Sequence, residues 1–337
     1  MKMENEIYNE DAETKTSTIE DDCIKKDLIH VGSMAAKMIL IMFAVQIFFT
    51  IIGETVLNII NIDITTANFE TYELILNCVT SLAATFLAYY WILNHTRIPF
   101  VIMSPSKEKQ GKHMLKYICI IFTIQVVGGL CYEGIQLVSS FVGITWGGFG
   151  LKIPNLSTAA IIPYFIWVCL IAPITEELIF RGALLKLLSP YGSKIAILIS
   201  AVLFGAIHGN LQQFPSTFLA GLLFGFISVK TGTIFYSIIL HMFNNVFAVV
   251  DELICVVTEN SMTYNIGMWG ITIIVGLVGT FFIYRERAEY KKLSSGKYDG
   301  FVIPVKSGVV KCFFKSLWIW GLMIIIILTC IGTIQRV

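Results

Sequence analysis

The chain has 337 residues, of which 56% are hydrophobic and 14% charged, with a mean hydropathy of +0.76; ordinary soluble domains are roughly 45–50% apolar and about 25% charged. That balance excludes a water-soluble globular fold, and a net charge of +1 leaves no basic stripe of the kind nucleic-acid phosphates require. The apolar residues come in repeated runs of about twenty, long enough to cross a hydrocarbon layer of about 30 Å, so the expected fold is all-α: a polytopic membrane bundle of about eight or nine helices.

In chain order, residues 1–30 are polar and acid-rich, with Glu4, Glu6, Glu10, Asp11 and Glu13 among the first acids. A cleavable signal peptide needs a basic start and an early apolar stretch, so this segment predicts a disordered cytoplasmic tail instead. The spans drawn from the apolar runs are Ser33–Ile52, Glu73–Leu93, Leu115–Phe141, Ala159–Ile179, Lys194–His208, Pro215–Val229, Ile234–Ile254, Ile271–Tyr284 and Ser316–Ile334. The loop after the second span carries Arg97, Lys107, Lys109, Lys112 and Lys116. The loop after the eighth carries Arg285, Arg287, Lys291, Lys292, Lys297, Lys306, Lys311 and Lys315. Lys and Arg mark cytoplasmic loops, which places the N-terminus inside and the C-terminus outside. Glu54, Asp63 and Glu70 after span one, and Asp251, Glu252 and Glu259 at the end of span seven and in its following loop, agree with the outer side.

Span four holds Pro163 and Pro173, which free carbonyls or kink the helix; span six holds Gly221 and Gly225 at a spacing that lets helices approach closely. The eight cysteines are scattered without a CxxC pair and read as small core residues.

Ionisable side chains are costly in a bilayer, so those that persist face the bundle interior and carry function. His30, His95 and His113 fall in loops or at span edges, and Glu133 near the outer end of span three reads as interfacial. Most of the remaining polarity lies within about seventy residues: Glu176, Glu177 and Arg181, then His208, then His241, Asn244 and Asn245. Glu177 and Arg181 are four apart with the acid first, the favourable order for an ion pair on one helix face. Glu176 is turned about 100° away and is left for another partner. His241 and Asn245 are also four apart and project to one side.

One carboxylate, two imidazoles and a carboxamide in a low-dielectric cavity suit peptide hydrolysis. A carboxylate beside an imidazole takes a proton from water and delivers it to the leaving amine, and imidazole and amide N–H groups meet the oxyanion. Glu176 and His208 are assigned to water, His241 and Asn245 to the oxyanion.

At these residues the sequence resembles the CPBP family of intramembrane proteases, also called the CAAX protease or Abi family. Its EExxxR motif stands as Glu176 to Arg181, its FxxxH motif as Phe204 to His208, and its HxxxN motif as His241 to Asn245. The resemblance implies a helical core over 156–255, following N-terminal transmembrane helices over 31–155 and preceding C-terminal helices with a basic cytoplasmic loop over 256–337. It also implies a glutamate-dependent endopeptidase without a cofactor, in which Glu176, His208, His241 and Asn245 are catalytic and Glu177 and Arg181 give structural support. The expected partners are the lipid bilayer and a peptide or lipidated protein substrate.

Zinc held by Glu176, His208 and His241 is the alternative cofactor reading, although the HExxH spacing is absent. The alternative function is a non-catalytic binding, immunity or transport protein using the same polar cavity. An Ile- and Lys-rich, Arg-poor composition suits an AT-rich bacterial genome, so the expected setting is a bacterial plasma membrane. Depth argues against an easy picture: His208 falls near the outer end of span five, Glu176 near the inner end of span four and His241 at mid-depth. By that arithmetic the three do not meet.

Overall fold

The computed structural model describes residues 2–59, 67–96, 98–99, 114–147, 157–259, 261–294 and 308–336, with the side chains of 2–21, 67–69, 294 and 336 outside the description. The basic residues Arg97, Lys107, Lys109, Lys112, Lys297 and Lys306, together with Asp63 and His113, lie outside the described residues. The helices are α1 (Lys2–Ile59), α2 (Ala67–His95), α3 (Met114–Ser140), α4 (Thr158–Tyr191), α5 (Ser193–Ala206), α6 (Phe214–Thr231), α7 (Phe235–Val257), α8 (Met262–Ser294), α9 (Val309–Phe313) and α10 (Leu317–Ile331). Seven described helices are long and apolar enough to cross a membrane, and α5 and α10 are shorter apolar helices. This is an all-α polytopic bundle.

The first helix departs from expectation. Residues 1–30 were expected to form a disordered tail, whereas α1 is continuous from Lys2 to Ile59. The first thirty-one residues contain neither Gly nor Pro, so nothing in them breaks the helix that the following apolar segment nucleates. A two-stranded antiparallel ribbon, β1 (Ile144–Trp146) with β2 (Ile334–Arg336), pairs Ile144 with Arg336 and Trp146 with Ile334. It ties the end of α3 to the end of α10.

The core draws buried residues from α1 to α7 and from α9 and α10, among them Met38, Ile92, Phe180, Phe204, Phe224 and Phe313. Large apolar side chains on the outer faces, such as Phe86, Ile274 and Leu277, are exposed, as a lipid-facing surface requires. The α5–α6 pair is held close by the glycines singled out in the sequence. A Cβ on Gly221 would lie 3.0 Å from the Ala201 Cα, and one on Gly225 would lie 3.1 Å from Ile197.

The fourth helix is the irregular one. It is π-helical over Trp167–Ile171 and Leu178–Leu184, the kind of bulge that recurs at functional sites. Pro173 explains the first bulge. Its ring clashes with the carbonyl four residues back, and the chain widens there so that the Ala172 N–H reaches the Trp167 carbonyl. In that pattern the Val168 carbonyl should receive the N–H of residue 173, which proline lacks.

Candidate active site

Three elements supply the site. The middle of α4 carries Glu176, Glu177 and Arg181; the turn after α5 carries His208; α7 carries His241 and Asn245. Glu177 and Arg181 are both 0% exposed and form the expected ion pair, Nη1 to Oε1 at 2.8 Å. Arg181 also donates to the Gly221 carbonyl at 3.2 Å and lies 4.3 Å over the Phe204 ring. An ion pair this deep is tolerated because hydrogen bonds and aromatic faces replace the lost hydration.

Glu177 has a second partner. His241 brings Nδ1 to within 3.1 Å of the same Oε1 atom. An ionised carboxylate can only accept, so Nδ1 carries the proton and Nε2 is the ring's other face to chemistry. Nε2 lies 3.8 Å from Glu176 Oε2. Glu176 keeps a quarter of its side chain exposed, while its Oε2 is buried and takes no hydrogen bond from the described residues. The two adjacent carboxylates therefore differ: Glu177 is fully buried and holds both Arg181 and His241 through Oε1, whereas Glu176 is partly exposed.

His208 joins them through Phe204. The Phe204 ring meets His208 edge-on at 5.3 Å and His241 edge-on at 5.7 Å, and Phe224 stacks on His241 at 5.3 Å. At the end of α5, His208 Nδ1 is 2.8 Å from the Phe204 carbonyl. A carbonyl is an acceptor, so this bond puts the proton on Nδ1 and the lone pair on Nε2.

The separation expected from depth is thereby overturned for Glu176 and His241, and both imidazoles share one ring. Two boundaries account for it. Helix α4 runs to Tyr191, twelve residues past the expected Ile179, so Glu176 lies near its middle. Helix α5 has 14 residues, about 21 Å at 1.5 Å per residue, too short to carry His208 across the membrane.

Asn245 donates Nδ2–H to the Val168 carbonyl at 2.9 Å, filling the acceptor that Pro173 leaves open. Its Oδ1 accepts from Asn244 Nδ2 at 3.2 Å, and Asn244 Oδ1 accepts from Gln125 Nε2 at 2.6 Å. Gln125 and Asn210 escaped the sequence reading. Asn210 is buried and ties the His208 turn together, donating to the His208 carbonyl at 2.9 Å and accepting from the Gln213 N–H at 2.8 Å. An Asn two residues after a helix-ending His has the spacing of a turn-forming side chain; Gln125, far away in sequence, gave no such signal. Among the described residues no group of three or more His, Cys, Asp and Glu side chains gathers to hold a metal, so the zinc reading of Glu176, His208 and His241 gains no ligand set.

Residues 158–247 match the family model described as Type II CAAX prenyl endopeptidase Rce1-like. Across this segment the chain is similar to that family. The matched segment includes the six residues assigned catalytic or supporting roles from the sequence. A curated relative from Bacillus subtilis (strain 168), named "Putative membrane peptidase YdiL", is 34% identical over 88 residues, covering 25% of this chain and 35% of the relative. The match thus spans about a third of that relative's length. No solved structure matches the chain.

Proposed function

We propose that the protein is an intramembrane endopeptidase that hydrolyses membrane-associated or lipidated peptides with a glutamate-activated water. The observation that carries this reading is the approach of Glu176 Oε2 to His241 Nε2 at 3.8 Å, with His208 across the shared Phe204 ring. Glu176 takes a proton from water while the His208 Nε2 lone pair orients that water, and the oxygen attacks the peptide carbonyl. The same proton then passes to the leaving amine. Asn245 spends one amide N–H on Val168 and offers the other to the oxyanion.

For His241 the Glu177 contact sets a condition. With Nδ1–H committed to the carboxylate, an Nε2–H donor exists only when the ring is an imidazolium. The Lys and Arg bias of the loops supports a cytoplasmic N-terminus, and the composition supports a bacterial plasma membrane.

The test is cleavage of a fluorogenic apolar and lipidated peptide library by purified protein in detergent, with wild type, Glu176→Ala, and wild type in excess phenanthroline. Activity lost in the variant and kept under the chelator supports the glutamate route. Loss in both restores zinc, and no cleavage by folded wild type favours a non-catalytic binding, immunity or transport protein.

A further inference from the structure

We propose that the cavity between α3, α6, α7 and α8 is a binding site for a primary ammonium group carried on an apolar stem. The cavity has a volume of about 280 Å³ and is lined by residues including Gln125, Ser216, Phe247, Asp251, Asn265 and Trp269. It lies on the opposite side of α7 from Val168, and the assignment does not rest on the hydrolytic reading.

Asp251 is the one charged residue in the cavity wall. It sits within the span Phe235–Val257, half-buried, and forms no ion pair with a Lys, Arg or His among the described residues. Near the end of that helix and in the wall of a cavity with apolar lining, a carboxylate attracts a cation. Its Oδ1 accepts a hydrogen bond from the Tyr264 hydroxyl at 2.8 Å, which fixes the side chain and leaves Oδ2 for a ligand. One available oxygen suits a compact ammonium better than a guanidinium, whose planar fork seeks both carboxylate oxygens.

The rest of the wall agrees. Gln125 donates one amide N–H to Asn244, and its carbonyl oxygen is an acceptor for a ligand. An ammonium has three donors and no acceptor, and a wall with a carboxylate and an amide oxygen selects it over phosphate or carboxylate. Phe247 and Trp269 provide aromatic faces for the cation and its stem. The volume falls just under the roughly 300–1,000 Å³ of drug-sized ligand pockets, enough for one group the size of a side chain. Two sources share this chemistry: a lysine side chain of a membrane peptide and the headgroup of an aminolipid.

The experiment uses full-length protein in phosphatidylglycerol nanodiscs, which carry no amino headgroup, and titrates hexylammonium calorimetrically against hexanol and hexanoate. Saturable binding of hexylammonium about tenfold or more tighter than hexanol is expected, a difference of about 1.4 kcal/mol. Asp251→Asn keeps an oxygen for Tyr264 and should weaken hexylammonium at least about tenfold at an unchanged melting temperature. If that variant does not fold, Gly129→Leu carries the test. A Cβ there meets only Trp269, at 3.8 Å, so the longer chain fills the cavity and should abolish binding. Equal binding of hexanol, or unchanged binding in the folded variants, overturns the proposal. Displacement of bound hexylammonium by a lysine-bearing apolar peptide identifies the peptide source, and displacement by phosphatidylethanolamine nanodiscs identifies the lipid. Displacement by neither overturns the site as a receptor for membrane amines.

Discussion

Asn245 occupies the hydrogen-bonding vacancy that Pro173 creates. The π-helical turn before Pro173 leaves the Val168 carbonyl without its backbone donor, and the Asn245 side chain supplies one at 2.9 Å. A proline on one helix thereby fixes the amide of another, and an unpaired carbonyl in hydrocarbon, which would cost several kcal/mol, becomes a positioning device.

Pro173→Ala restores a backbone N–H at that point and lets it compete for the carbonyl. The variant is expected to keep or raise its melting temperature, because the helix regains a bond and loses a ring clash, while peptide cleavage falls at least about fivefold as Asn245 is released. Thermal unfolding and turnover measured on the same preparation check this. Turnover equal to wild type would mean that the amide is held by something other than Val168.

The Glu177–Arg181 pair makes a different prediction. Arg181→Met leaves a fully buried carboxylate with His241 as its remaining partner, and breaking one side of a buried pair costs about 3–5 kcal/mol. A large drop in melting temperature is expected, with loss of folded protein in detergent. The double change Glu177→Leu with Arg181→Met removes both charges and should recover most of the stability, since replacing a whole buried pair by apolar groups is often neutral. It should not recover cleavage, because His241 then lacks its Nδ1 partner. Melting curves and the peptide assay separate the two effects.

Much of this site was legible in the sequence because helical spacing is rigid. Four residues from Glu177 to Arg181 fix a shared face, and the pair forms as expected. The position of Glu176 on a different face likewise survives. What spacing along one helix cannot report is partnership between helices. The bond from His241 to Glu177 spans 64 residues and that from Gln125 to Asn244 spans 119, and neither leaves a local pattern. Depth failed for a related reason: apolar runs mark membrane spans but do not set their ends, and α4 continues to Tyr191 through residues that a bilayer-length window truncates.

The turn that presents His208 depends on a glycine. Gly209 has φ +63°, in the left-handed region, and a Cβ there would lie 2.7 Å from Thr329 on α10. Gly209→Ala meets both penalties, of which the backbone one alone is about 1–2 kcal/mol. Cleavage is expected to fall more than tenfold in a protein that still folds. Adding Thr329→Ala relieves the steric contact without changing the dihedral, so partial rescue is expected, measured as turnover of the double variant against each single one. Full rescue would make the steric contact the whole cause, and no rescue would detach α10 from the positioning of His208.

Glu176 and Asn245 should differ in the size of their effects. Glu176→Gln removes the proposed acceptor of the water proton while keeping its shape, and acid–base catalysis contributes about 10²–10⁴-fold, so cleavage should fall by that order. Asn245→Ala deletes the proposed oxyanion donor, worth about 10²–10³ in kcat in comparable sites, and also strips the Val168 carbonyl of its partner. The second variant should therefore lose stability as well as rate, whereas Glu176→Gln should not, since Glu176 Oε2 has no hydrogen bond among the described residues to lose. Measuring kcat and melting temperature together checks the division. A destabilised Glu176→Gln with unchanged kcat would invert the roles and remove Glu176 from the chemistry.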